Sequence, residues 1–166
     1  MKKKVLVICI VAFFCTGTFV FAQAKPKAVL AKADIDIFIK NYAQIQEILG
    51  TYSDELSSIE IDSSEAEGKA LTDLILKARG FSASAKLRAE FTRLGLGNNG
   101  LEKCLVILFG LGAAMIEDMI AEIGGAGSKE ADNVIKNQVN PIKAAIHAND
   151  YKLIQAQKDA LFSVLD

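Results

Sequence analysis

The stretch Cys104–Ile116, CLVILFGLGAAMI, runs for 13 residues without a charged side chain. Charges bound it on both sides, Glu102 and Lys103 before it, Glu117 and Asp118 after it. It shows no alternation of apolar and polar residues, so it does not read as a half-buried strand. A helix that is apolar on every side is expected to be buried on every side. Thirteen residues are too few to cross a bilayer. The reading is therefore a central core helix, from Asn98 or Asn99 to about Ile123. Gly110, Gly112, Ala113 and Ala114 give it a smooth surface that another helix can approach closely.

Outward from this helix, both flanks carry helical periodicity. Upstream, Leu87, Phe91 and Leu94 mark a short helix that stops at Gly95-Leu96-Gly97. Before it, Ser64 and Glu67 have capping-box spacing. They predict a helix with Ala70, Leu71, Leu74, Ile75 and Ala78 inward, and Gly80 as the residue just past its end. Ser57–Ser63 reads as a polar loop. Earlier still, Ile35, Phe38, Tyr42, Ile45, Leu49, Tyr52 and Leu56 step by three and four residues without a miss. That is a heptad seam, with Asp34 as its N-cap and Gly50 weakening its end.

Downstream, Gly124-Gly125-Ala126-Gly127 reads as a loop and Ser128 as a cap. The next helix carries Ala131, Val134, Ile135 and Val139 inward. Pro141 lacks an amide hydrogen, which predicts a break there, with Asn140 capping a new segment through His147. A last helix starts at Asn149 or Asp150 and carries Leu153, Ile154, Ala160, Leu161, Val164 and Leu165. The fold class is all-α, a bundle of five to six helices around the buried helix at about 98–123. Residues 34–166 form one domain, preceded by a flexible arm at 25–33.

The first 24 residues, MKKKVLVICIVAFFCTGTFVFAQA, have a basic start, an apolar run and the small-x-small triplet Ala22-Gln23-Ala24. These are the three regions of a cleaved signal peptide. The expected destination is the periplasm or the exterior of a bacterial cell. An uncleaved anchor is the alternative, and without it the leader is the only membrane contact. Cys9 and Cys15 follow Ile8 and Phe14, which are too large to precede a lipidated cysteine. They leave with the leader, so Cys104 alone remains and no internal disulfide can form.

The chain of 166 residues has 19 basic and 20 acidic side chains. Three of the bases, Lys2, Lys3 and Lys4, lie in the leader, so the mature chain carries 16 bases against 20 acids. That net charge of -4 argues against a nucleic-acid binder. Gly95-Leu96-Gly97-Asn98-Asn99-Gly100 has the spacing of a dinucleotide-binding turn, but a charged helical stretch precedes it where a strand is required. Gly124–Lys129, GGAGSK, lacks the residue order of a phosphate loop. His147 is expected as a cation at a helix C-terminus. Met115 and Met119 read as core filler, and Glu117, Asp118 and Glu122 as the solvated end of the central helix. No cofactor, metal or catalytic residue is expected.

Charge is segregated. Asp54, Glu55, Glu60, Asp62, Glu65 and Glu67 come with no base among them. Lys77, Arg79, Lys86, Arg88 and Arg93 follow, with Glu90 as the one acid in the run. These five bases are the candidate interaction surface, facing anionic lipid or the acidic run of a second copy. The expectation is an exported helical binding protein without catalysis, acting on an unidentified protein partner or on itself. A bundle enclosing a small apolar ligand or lipid is the alternative, and an enzyme ranks below it.

Overall fold

A computed structural model of the chain describes residues 26–59, 67–122 and 127–165. The leader, Glu60, Asp62, Ser64 and Glu65 lie outside the described residues, as do Gly124 to Ala126. The described chain is helical throughout: α1 (Lys32–Thr51), α2 (Ser53–Leu56), α3 (Glu67–Gly80), α4 (Ala85–Leu94), α5 (Gly100–Glu122), α6 (Lys129–Val134), a π-helical turn (Ile135–Val139), α7 (Asn140–Ala145), α8 (Ala148–Ala156) and α9 (Lys158–Ser163).

α5 is the hub. It touches α1, α3, α4, α7, α8, α9 and the π turn. Its glycines are where neighbours come closest. A β-carbon at Gly110 would fall 2.5 Å from Ile154 Cδ1 of α8, and one at Gly100 would fall 2.5 Å from Phe91 Cγ of α4. Cys104, Val106, Ile107, Leu111 and Ala113 are sealed from water. The expected burial on every side is not found. Leu105, Leu108, Phe109, Gly112, Met115 and Ile116 form a half-exposed stripe, and Met119 at its end is 55% exposed. The two methionines therefore border the core instead of filling it. Among the described residues, the elements packed on α5 leave this side of it partly open.

α1 starts at Lys32 with Ala31 as its N-cap, three residues earlier than the expected cap at Asp34. Asp34 lies in the first turn, and its carboxylate reaches back to accept the Ala31 amide hydrogen at 2.7 Å. An acid there also faces the positive end of the helix dipole. Ile35, Phe38 and Ile45 are buried as the heptad requires, but Ile48 replaces Leu49 in the core. A helix of 3.6 residues per turn drifts off a strict seven-residue repeat. A kink at Asn41, whose side-chain amide donates to the Ile37 carbonyl, adds to the drift. Tyr42, Tyr52 and Leu56 stay half-buried at the rim.

The segment before α1 is held down. The Asp150 carboxylate, 1% exposed, accepts the amide hydrogens of Val29 and Leu30 at 2.9 and 3.2 Å. Leu30 is buried beneath that contact.

α3 buries Gly68, Thr72, Ile75 and Ala78, leaving Leu71 and Leu74 half-exposed. Gly80 does not end the helix in a left-handed conformation; it is its last helical residue. Pro141 likewise does not break the chain. The ladder widens to π spacing over Ile135–Val139, and the helix resumes at Asn140 with right-handed φ and ψ. A π turn accommodates the missing proline donor without leaving the helical path.

Gly95 is left-handed, with φ 94°, and ends α4 as expected. Gly97, φ 75°, turns the chain into α5. The glycine-rich hexapeptide thus joins two helices, and α4 stands where a nucleotide site needs a strand.

Candidate functional site

The five candidate bases take different places. Arg79, at the end of α3, turns inward. Its Nε donates to Glu102 Oε1 at 2.6 Å and its Nη2 to the Ala145 carbonyl at 2.9 Å. It thereby ties α3 to α5 and to the end of α7, where a cation also meets the negative end of a helix dipole. Lys77, two residues earlier in α3, is exposed and has an interaction of its own.

Lys86, Arg88 and Arg93 all lie on the outer side of α4. The sequence makes this helix strongly two-sided. Leu87, Phe91 and Leu94 face the core, and Ser84 caps the start, its hydroxyl accepting the Leu87 amide hydrogen at 3.2 Å. Glu55 fixes the same end by accepting the Ser84 amide hydrogen at 2.6 Å. On the outer side, Ala85, Arg88, Ala89, Thr92, Arg93 and Asn98 line a shallow open depression of about 480 Å³. Arg93 is also shared with a second depression of about 320 Å³ towards α1, lined by Glu47, Thr51 and Tyr52 among others.

The two arginines differ in their engagement. Arg93 donates from Nε and Nη2 to Glu90 Oε2 at 3.0 and 2.9 Å, one turn away on the surface. Among the described residues, the Arg88 guanidinium and the Lys86 ammonium have no ion pair or side-chain hydrogen bond. The Thr92 hydroxyl donates to the Arg88 carbonyl at 2.8 Å.

A second polar cluster went unread in the sequence. Glu117 accepts from the Tyr151 hydroxyl at 2.7 Å and from Lys143 Nζ at 2.6 Å. The same ammonium sits 4.9 Å from the centre of the Tyr151 ring. Burial pushes the Tyr151 hydroxyl above its ordinary range, and its bond to the neighbouring Glu117 carboxylate pushes it further. Asp118 pairs with Lys158. Glu117 and Asp118 are therefore not a free solvated helix end but ties from α5 to α7, α8 and α9. Both Glu117 carboxylate oxygens, the Tyr151 hydroxyl and the Lys143 ammonium are engaged within this group, which ties α5 to α7 and α8. The three residues are far apart in sequence, and no spacing signals their meeting.

His147 is not a C-terminal cation. It is the N-cap of α8, and its Nδ1 accepts the Asn149 amide hydrogen at 3.2 Å. That bond needs the Nδ1 lone pair, so this nitrogen is unprotonated when the cap is made. Cys104 is fully enclosed, and burial pushes its thiol up to about 12, with Lys103 pulling weakly the other way. No group of three metal-ligating side chains converges among the described residues. The chain matches no family model, no curated protein and no solved structure.

Proposed function

We propose that this chain is exported, loses its first 22 or 24 residues, and acts in the periplasm or outside the cell as a small helical binding protein without catalysis. The observation that carries the reading is on α4. Lys86 and Arg88 present cations outward with no counter-charge among the described residues, while Arg79 and Glu117, equally charged, are consumed inside the fold. A surface that leaves such groups unpaired supports recognition by an outside partner. The net charge of -4 on the mature chain argues against a nucleic-acid partner and favours a protein.

Crosslinking of a tagged copy in the producing cell, read by mass spectrometry, tests this. A recurrent partner is expected, together with a mature N-terminus at Gln23 or Lys25. Recovery of the intact leader rejects export with cleavage, and absence of any recurrent crosslink rejects the binding role.

A further inference from the structure

The segment before α1 lies on the bundle as a strap. It forms no helix, and Val29 and Leu30 donate their amide hydrogens to one carboxylate, that of Asp150. Asp150 is the third residue of α8, so the strap is fastened to the first turn of a helix and not to its body. Amides in a first turn have no acceptor inside their own helix. In α8 the Tyr151 amide bonds back to the His147 carbonyl at 3.0 Å. Before it, the Asn149 amide is held by His147 Nδ1 at 3.2 Å. The body of the helix is secured separately, by Ile154 in the core and by the Tyr151 hydroxyl on Glu117.

We propose that His147 is an acid-sensitive latch: protonation of its imidazole loosens the first turn of α8 and lets the strap go. Three effects act in this direction. The protonated ring has a donor on both nitrogens, so Nδ1 no longer accepts the Asn149 amide hydrogen. A cation at a helix N-terminus opposes the helix dipole. The imidazolium also stands three residues before Asp150, and side chains so spaced are neighbours on a helix surface. It therefore competes with the Val29 and Leu30 amides for the Asp150 carboxylate. His147 is half-buried, so water reaches the ring. Imidazole is the side chain whose ordinary change of charge falls between about pH 5 and 8. The other charged groups around α8 come largely in pairs: Glu117 of α5 with Lys143 of α7, Asp118 of α5 with Lys158 of α9, and Arg79 of α3 with Glu102 of α5. Each pair presents little net charge to the ring. Lys27 on the strap, Glu122 on α5, Lys152 on α8 and Asp159 on α9 are exposed, where salt screens them. The sign follows from the cap. The latch is closed while the ring is neutral and opens as the pH falls. Opening lifts Leu30 from its seat and bares the apolar surface beneath it.

Hydrogen exchange, read amide by amide by NMR on protein purified from the producing cell, tests the latch. The protection factors of the Val29 and Leu30 amides are expected to fall about threefold to tenfold between about pH 7.5 and about pH 5.5, the worth of a helix cap. Core amides such as that of Ile107 should keep theirs, and the fall should follow the titration of the His147 ring protons. In His147→Asn, whose side chain caps without titrating, the two amides should stay protected at both pH values. In His147→Ala they should be weakly protected at both. Protection that is indifferent to pH in the parent, or that falls equally in His147→Asn, overturns the proposal. So does a fall shared with the core amides, which is unfolding of the whole bundle, and so does full protection in His147→Ala.

Discussion

The backbone of Gly68 in α3 rests directly on the Asn137 carbonyl in the π turn, with no space for a side chain between them. A β-carbon on Gly68 would also come 2.8 Å from Gln138 Cα and 3.0 Å from its carbonyl oxygen. These are backbone atoms, which cannot swing aside as a flexible side chain does. Gly68→Ala is expected to destabilise the fold by about 1–3 kcal/mol, the usual cost of overpacking. Gly112 is the control. A β-carbon there meets nothing within 4 Å. Gly112→Ala should stabilise by about 0.5–1 kcal/mol, because alanine is the better helix former. Urea midpoints of the two variants read both effects, and equal shifts in one direction would reject the contact.

Arg79 and Arg88 look alike in the sequence and should behave differently. Arg79→Ala leaves the Glu102 carboxylate, only 11% exposed, and the Ala145 carbonyl without their donor. A loss of about 1.5–3 kcal/mol is expected. Arg88→Ala, on the open surface, should stay within about 0.5 kcal/mol of the parent. Thermal melts of the two proteins decide it.

Cys104 should react with a thiol reagent only when the protein opens, since its side chain is enclosed and its thiol is held up at about 12. The pH dependence follows in sign. The unfolded thiol ionises near its ordinary value of 9.0 while the folded thiol keeps its proton. Stability from this group is thus complete below pH 9.0 and is lost between there and about 12. Cys104→Ala should flatten that alkaline decline relative to the parent. Cys104→Ser should cost about 1–3 kcal/mol by placing a hydroxyl in an apolar site. Labelling of the native protein as fast as of the unfolded chain would contradict the burial.

Ile45 is 1% exposed and packs in the core. Ile45→Asp puts an unpaired carboxylate there, a cost of several kcal/mol against a total stability of about 5–15. Loss of the far-ultraviolet helical signal at room temperature is expected. A folded variant that changes only from dimer to monomer in light scattering would make the heptad an interface.

The helices were legible because their apolar residues recur at three and four, and because caps and stops are local. Gly95 and Ser128 were read from one or two neighbours, and both act as read: Gly95 is left-handed and Ser128 accepts the Ala131 amide hydrogen at 3.1 Å. What periodicity misses is anything set between elements. Thr72 replaces Leu71 inside because α3 must turn Gly68 towards the π turn. Leu49 yields its place to Ile48 because α1 kinks. The stripe from Leu105 to Met119 is apolar and still half-open, since composition fixes what a helix can bury and not how many neighbours arrive to cover it. At the candidate surface, charge blocks were visible but their fate was not. Arg79 differs from Arg88 through Glu102, 23 residues away and brought into reach only by the fold, whereas the Glu90 partner of Arg93 lies three residues away on the same helix.

The hydrogen bonds from Val29 and Leu30 to Asp150 join positions 121 and 120 residues apart. That separation sets an order of events. The first helix can coil as soon as it is made, but its leading end finds its anchor only when α8 exists. For a chain threaded through a membrane from its N-terminus, closure of the bundle waits until nearly the last residue has crossed. In a chain exported as proposed above, the long-range clasp would leave the fold open during synthesis, when a compact domain would obstruct passage, and would close it as the C-terminal helices emerge.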